Sequence, residues 1–138
     1  MADEGLFTLH DAYALARARA CDAFCIKLYK IGGLTPARKI AAVAEAAEIQ
    51  LNCGGLAVQS QLEAAAAAHF YAATPQKRMM GAGEFVFGLN TVGPDPLVPQ
   101  TDFVVRAGHV DVPTAPGLGI AIDDLALERH TLRYEKVD

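Results

Sequence analysis

The sequence predicts an α/β fold built around a parallel sheet. Two observations lead to this prediction: apolar runs of strand length, and helix start signals that follow them at a nearly constant interval. The predicted helix starts at Thr8, Thr35 and Ser60 lie 27 and 25 residues apart (35 − 8 and 60 − 35). A strand-helix unit that recurs at this interval implies right-handed crossovers between parallel strands.

The first predicted elements are a helix and a buried strand. Thr8, followed three residues later by Asp11, forms a capping box and predicts a helix through about Ala20. The run Ala23–Ile26 is apolar without interruption, which is typical of a strand covered on both faces of a parallel sheet.

A second helix is predicted after the Gly32-Gly33 turn. Thr35 is a suitable N-cap, and Pro36 is suited to the first helical position. Apolar residues then recur at the spacing of one helix face, at Ile40, Val43, Ala44 and Ala47.

A second strand and a third helix complete the repeated pattern. The strand is predicted at Ile49–Cys53, where Gly54-Gly55 ends it. Ser60 with Glu63 is another capping box, and the helix that it opens reaches about Ala73, just before a proline.

The composition changes after residue 76, where prolines become frequent. Met80–Val86 is a further possible strand, and Phe103–Arg106 is predicted as a strand within a loop-rich tail. The predicted organisation is therefore residues 1–87 as strand-helix units and residues 88–138 as a tail that packs elsewhere, without forming a separate domain.

The residues alone leave two architectures open. One is a small open α/β sheet of the flavodoxin-like type. The other is part of a (β/α)₈ barrel, which needs eight strands and about 250 residues. About four strands are predicted here, so the barrel requires additional sequence.

Composition excludes several classes of partner. The chain has 138 residues, 52% apolar and 20% charged, and a net charge of -4. Its lysines and arginines are scattered, so we expect neither nucleic acid nor a membrane as a partner. The N-terminus has no apolar signal region, no apolar run reaches the length of a membrane span, and the three cysteines match no zinc or redox spacing. We therefore expect a cytoplasmic protein with reduced, buried cysteines.

Lys27 is the main candidate for chemistry. It follows Ala23–Ile26, at the edge of a parallel sheet where ligands bind. Partial desolvation there would favour its neutral form and allow it to act as a base near neutral pH. The structural alternative is a lysine that extends to solvent or pairs with a carboxylate. For Lys30, we expect solvent exposure.

Other polar residues carry weaker signals. Asp3-Glu4 precedes the first helix, where a preceding strand would end, and carboxylates at such positions can hold Mg²⁺. Glu84 lies in an apolar, glycine-rich setting and is either a polar group that supports a site or an ion-pair partner. His69 is expected to be a buried, hydrogen-bonded histidine.

Several spaced motifs together resemble the muconate-lactonizing subgroup of the enolase superfamily. They occur in the family's order along nearly the whole chain, and the separation of 24 between Asp3 and Lys27 (27 − 3) is also the family's. The matching segments are Met1–Glu4, Ile26–Gly33, Ala41–Ala47, Gly54-Gly55, Ala67–His69, Glu84, and Pro116–Gly119 followed by Asp123.

The resemblance implies a fold, a cofactor and an activity. It identifies the chain as the C-terminal part of a (β/α) barrel domain, with Asp123 in a tail that folds back along the barrel. Asp3 would correspond to the third ligand of Mg²⁺ or Mn²⁺, Lys27 to an acid/base lysine and Glu84 to an acidic residue of the last strand. The implied reaction removes a proton α to the carboxylate of a small substrate, giving cycloisomerisation, racemisation or epimerisation, or dehydration.

The resemblance also implies what residues 1–138 do not contain. The family's capping domain, its Lys-x-Lys motif and two metal ligands would precede residue 1, so we expect the isolated chain to be inactive. We expect the complete form to be a homo-oligomer. Leu56–Gln59 departs from the Thr-Met-x-Glu typical of muconate enzymes, which argues against assuming muconate as the substrate. The alternative is a non-catalytic α/β module that completes its sheet by self-association.

Overall fold

Helices and parallel strands alternate along the first half of the chain. A computed structural model describes residues 1–56, 60–89, 93–99, 101 and 103–135. The elements in chain order are α1 (Leu9–Ala18), β1 (Ala23–Ile26), α2 (Leu28–Ile31), α3 (Leu34–Ala46), β2 (Gln50–Cys53), α4 (Gln61–Ala73), 3₁₀ turns at Gln76–Arg78 and Glu84–Gly88, and α5 (Asp124–His130). The predicted α/β class is confirmed.

The centre of the fold is the parallel pair β1 and β2. Ala23 lies opposite Gln50 and Ile26 lies opposite Cys53 in this register. All four residues of β1 are buried. This full burial explains why the strand is apolar on both faces, since both of its surfaces face protein and neither faces water.

Two short segments extend this pair on either side. Ala2 forms a parallel bridge with Phe24, and Met79 forms one with Leu51. Two backbone hydrogen bonds of 2.8 Å hold the Ala2 segment. The Ala2 amide donates to the carbonyl of Ala23, and the Ala2 carbonyl accepts from the amide of Cys25. Four parallel segments therefore lie side by side in chain order.

The predicted capping box of α1 is confirmed. The Thr8 hydroxyl accepts from the Asp11 amide at 3.1 Å, and the Asp11 carboxylate accepts from the Thr8 amide at 2.8 Å. The helix ends at Ala18 because Arg19 adopts a left-handed conformation with φ of 50°. This end comes two residues earlier than predicted.

The predicted start of α3 is wrong by two residues. Gly33 is the N-cap, with φ of 103°, and Thr35 and Pro36 lie inside the first turn. Proline is tolerated there because the first helical amides have no acceptor within the helix. The face that α3 buries consists of Ala37, Ile40 and Ala44.

The third predicted helix, α4, has its N-cap at Ser60, as expected. The Ser60 hydroxyl accepts from the Glu63 amide at 3.3 Å, but the Glu63 carboxylate accepts from the amide of Tyr29 instead of completing the box. Small side chains let α4 pack closely on several sides. Its buried apolar residues are Ala64, Ala65, Ala67, Ala68 and Phe70.

Both strands predicted after residue 76 are wrong. In Met80–Val86, Gly81 has φ of 70° and Glu84 begins a 3₁₀ turn, so the extended conformation is interrupted. In Phe103–Arg106, only Arg106 pairs, through one antiparallel bridge with His109. The tail contains α5 instead, capped by Asp123, whose carboxylate accepts from the amide of Ala126 at 2.9 Å.

One hydrophobic core joins these elements. Its most enclosed side chains come from the loop before α1, from both strands and from the inner faces of the helices, and they include Leu6, Phe24, Ile26, Ile40, Leu51 and Ala64. Among the described residues, no helix combines the length and apolar character needed to cross a membrane.

Candidate functional site

Lys27 lies at the carboxyl end of β1, as predicted. It is the residue immediately after the strand and the N-cap of α2, and it is only 8% exposed. Because the strands are parallel, the residues that follow β1, β2 and the Ala2 segment meet at one edge of the sheet. This edge forms the candidate site.

Two carboxylates from the first residues of the chain hold the Lys27 ammonium group. The Lys27 Nζ lies 2.8 Å from Asp3 Oδ2 and 2.9 Å from Glu4 Oε1. The bridge between Ala2 and β1 fixes this segment beside the strand, so Asp3 reaches Lys27 directly. Asp3 and Lys27, predicted as separate site residues, are thus in contact.

A second lysine completes this cluster, and sequence reasoning missed it. The expected solvent exposure of Lys30 is wrong, since its side chain is 2% exposed. Its Nζ lies 2.8 Å from Asp3 Oδ1, also donates to the Asp3 carbonyl, and lies 5.5 Å from the centre of the Phe7 ring. The short helix α2 explains this, because residues three apart share one helix face.

The ion pairs determine the charge state of the cluster. Burial acts to raise the pKa of Asp3, but hydrogen bonds from Lys27 and Lys30 outweigh burial and lower the pKa overall. The hydrogen bond to Asp3 raises the pKa of Lys27 above its usual range, although burial alone would lower it. The expectation that desolvation would favour neutral Lys27 is therefore wrong for this arrangement.

Gly54 gives the Lys27 side chain its space. A β-carbon at this position would lie 2.6 Å from Cys25 Sγ and 2.8 Å from Lys27 Cγ. These separations are too short for non-bonded atoms, so glycine is required by close approach and not by backbone conformation. Gly54 follows β2 directly and therefore helps to set the position of the Lys27 stem.

Glu84 lies near this edge without joining the lysine cluster. It is half-buried, and its Oε2 accepts a long hydrogen bond of 3.4 Å from the amide of Gly55. Within the described part of the chain its carboxylate is in no ion pair, so the ion-pair interpretation is not supported. Its charge contributes to a raised pKa of Cys25, behind the larger effects of burial and of Asp3.

The cysteines and His69 have structural surroundings. Burial raises the pKa of Cys25 to about 11 and that of Cys53 to about 12. Cys21 is half-buried, so the expectation of three buried thiols is correct for two. His69 is half-buried and its Nε2 lies 3.2 Å from the carbonyl oxygen of Leu118.

The described residues supply only part of a metal site. Among them, no three His, Cys, Asp or Glu side chains are grouped so as to hold a metal ion. Asp3 is a partly exposed carboxylate of the type that Mg²⁺ prefers, so it fits as one ligand. Both of its oxygens are engaged by ammonium groups, and a cation would displace at least one of these contacts.

Comparisons with known proteins agree on one family. The family described as Enolase C-terminal domain-like matches residues 1–126. A chloromuconate cycloisomerase from Cupriavidus necator is 37% identical over 134 residues, which cover 95% of this chain and 34% of that protein. The chain therefore spans about a third of the length of this relative.

Solved structures agree with the sequence comparison. A muconate lactonizing enzyme superposes with a TM-score of 0.79 and 29% identity, over 94% of this chain and 34% of that chain. A dipeptide epimerase from Methylococcus capsulatus, in complex with Mg and the dipeptide L-Arg-D-Lys, is 46% identical. That match covers 56% of this chain and 22% of the epimerase, with a TM-score of 0.52. The chain therefore belongs to the enolase superfamily, as a C-terminal domain of the muconate-lactonizing and mandelate racemase type.

Proposed function

We propose that the chain is the C-terminal part of a barrel enzyme that removes a proton α to a carboxylate, with Lys27 as the acid/base residue. The observation that carries this proposal is the contact between Lys27 and Asp3 at the carboxyl edge of the sheet. Residues 1–87 would be the last strand-helix units of the barrel, and residues 88–138 a tail that packs back on it.

The four parallel segments support this architecture. They follow one another in chain order across the sheet, as successive strands of a (β/α) barrel do. The outer segments, at Ala2 and Met79, each pair on one side only within the described residues. A barrel would pair their other sides with strands from elsewhere in the polypeptide.

Lys27 is the proposed carrier of the proton. Its Nζ is held by Asp3 and Glu4 at the edge where a parallel α/β fold binds ligands. The ammonium form can deliver a proton to a substrate carbon, and the amine that remains can accept one. Gly54 leaves room for the stem, because a β-carbon there would lie 2.8 Å from Lys27 Cγ and 3.2 Å from Lys27 Cε.

Asp3 is the proposed metal ligand of this chain, with the remaining ligands supplied by sequence outside residues 1–138. A bound Mg²⁺ or Mn²⁺ would neutralise the negative charge that develops at the substrate carboxylate when the α-proton leaves. Lys30 holds the second Asp3 oxygen and the Asp3 backbone, so we assign it the task of orienting this carboxylate.

Glu84 remains a proposed member of the site. Its hydrogen bond with the Gly55 amide places it beside the loop that follows β2. From there it would fix the backbone around Gly54 and face the substrate together with Lys27.

The proposed substrate is a small carboxylate, and the complete protein is proposed to be a homo-oligomer. The two kinds of relative act differently, since one is a cycloisomerase and the other a dipeptide epimerase. The segment Leu56–Gln59 argues against muconate as the substrate, but residues 57–59 lie outside the described residues. The non-catalytic alternative is not favoured, because the family relationship is with enzymes.

The test is exchange of the α-proton in deuterated water, followed by NMR. The proposed complete enzyme, a full-length polypeptide that includes residues 1–138, would be incubated with Mg²⁺ and a panel of dipeptides and muconates. We expect deuterium to enter the α-position of at least one class. Absence of exchange and of turnover across the panel, from a folded protein, would contradict the proposed function.

A further inference from the structure

A cavity of about 470 Å³ lies between α3 and α4, away from the lysine cluster. Its lining includes Ile49, which precedes β2, and Pro75, which precedes the Met79 segment. Leu34 and Thr35, at the start of α3, also line it, so the cavity extends along this helix, and neither Lys27 nor Lys30 is among its lining residues. A volume of 300–1,000 Å³ is typical of sites for small molecules.

The walls of this cavity combine an apolar surface with two positive charges. Apolar side chains from α3, β2 and α4 contribute much of the lining, including Ala42, Leu51 and Phe70. Arg38 and Arg78 also line the cavity, opposed by a single carboxylate from Glu45. The arginine and glutamate side chains of the lining together carry a net charge of +1 (two arginines minus one glutamate).

One nitrogen of the Arg78 guanidinium group is enclosed and lacks a protein partner. Its Nε is buried and has no acceptor among the described residues. This nitrogen has almost no accessible surface, so a ligand in the cavity would pair with the other guanidinium nitrogens of Arg78. Arg38 is exposed on α3 and, in the described part of the chain, forms no ion pair.

We propose that this cavity binds a small organic carboxylate with an apolar body. Arginine suits a carboxylate because its N–H groups form a planar fork that can give two parallel hydrogen bonds. The ligand's carboxylate would pair with the guanidinium groups of Arg38 and Arg78, and its apolar body would cover the alanine-rich surface of α3 and α4. This site is separate from the proposed active site and needs none of its chemistry, although its test uses the longer polypeptide of the proposed function.

The test is calorimetric titration of the full-length polypeptide with octanoate, and with octanamide as its neutral counterpart. We expect saturable binding of octanoate that Arg78→Gln weakens about tenfold or more, because a hydrogen bond to a charged group is lost. Ala42→Leu should also weaken binding by filling the cavity without changing its charge. Lys39→Gln, an exposed change on α3 outside the lining, is the matched control and should bind as before.

Two further variants make the result decisive. Lys27→Met should keep octanoate binding, because Lys27 is not among the residues that line the cavity. Arg38→Gln changes an exposed residue and should weaken binding even if Arg78→Gln does not fold. The proposal is overturned by absence of saturable binding, by equal affinity for octanamide, by loss of binding in Lys27→Met, or by unchanged binding in both Arg38→Gln and Ala42→Leu. Absence of binding would mean that the cavity holds water alone, equal affinity for octanamide would mean that the charge is not recognised, and the other two outcomes would place the binding outside this cavity.

Discussion

Asp3 Oδ2 lies 2.8 Å from Lys27 Nζ, although 24 positions separate the two residues in sequence (27 − 3). The contact exists because the segment that begins the chain pairs in parallel with β1, so that the residues following each meet at one edge. Lys30 holds the other oxygen of the same carboxylate at 2.8 Å. One carboxylate thus lies between two ammonium groups, and the predictions below depend on this arrangement and on the packing around it.

Residues 1–138 alone should not bind Mg²⁺ usefully. Mg²⁺ gives up its water reluctantly and requires several well-placed oxygens, whereas Asp3 offers one carboxylate already paired with lysines. Calorimetry should show no binding below millimolar Mg²⁺. A micromolar site would require ligands such as Glu4 or Glu84 to act together with Asp3, and would contradict the assignment of missing ligands to other parts of the polypeptide.

Gly54→Ala should destabilise the protein by about 1–3 kcal/mol, the usual cost of forcing extra atoms into a packed site. The new methyl group would lie 2.6 Å from Cys25 Sγ and 2.8 Å from Lys27 Cγ, so the lysine stem must move. Gly5→Ala is the matched control, since a β-carbon there meets nothing within 4 Å. Chemical denaturation of both variants measures the difference. Equal unfolding midpoints would show that Gly54 does not shape the site.

At pH 8, iodoacetamide should label Cys21 before Cys25 and Cys53. Burial raises the pKa of Cys25 to about 11, which leaves about one thiolate in a thousand at pH 8. The pKa of Cys53 is raised to about 12, and the fraction is smaller still. Peptide-level mass spectrometry would follow labelling of the folded protein. In urea, the three cysteines should react at similar rates. Early labelling of Cys53 in the folded protein would show that β2 is not packed as described.

The chain expressed alone should self-associate or aggregate. The Ala2 and Met79 segments are paired on one side only within the described residues, and open sheet edges are templates for further pairing. Exposed apolar side chains of the tail, such as Leu125, Leu132 and Tyr134, add to this tendency. Size-exclusion chromatography with light scattering and a thermal melt would measure it. A cooperative melt from a particle of 14.6 kDa would favour a self-standing α/β module instead.

The predictions from sequence are correct where local signals decide the structure. Short stretches of sequence define three elements: the capping residues define the starts of α1 and α4, and an apolar run defines β1. The strand predicted at Met80–Val86 is wrong because Gly81 is left-handed and a 3₁₀ turn follows it. The helix α5 was missed although Asp123 supplies its cap, since a helix of seven residues has little periodicity.

The candidate site could be located from the sequence, but its electrostatics could not. The end of β1 identifies the position of Lys27 without any knowledge of its partners. Its charge state depends on Asp3 and Glu4, which reach it only through the pairing of a distant segment. Lys30 was missed for a similar reason, because its burial depends on the four-residue helix α2 and on contact with Asp3.

The central claim is that Lys27 moves the substrate proton, and α-proton exchange tests it most directly. In the full-length polypeptide with its substrate, Lys27→Ala should lower the rate of deuterium incorporation by about 10²–10⁴-fold, as expected for loss of an acid/base group. Lys39→Ala, an exposed lysine on α3, is the control and should exchange at the normal rate. Circular dichroism should show both variants folded. If folded Lys27→Ala exchanged the proton at a near-normal rate, Lys27 would be a structural partner of Asp3 and the assignment of the site would be wrong.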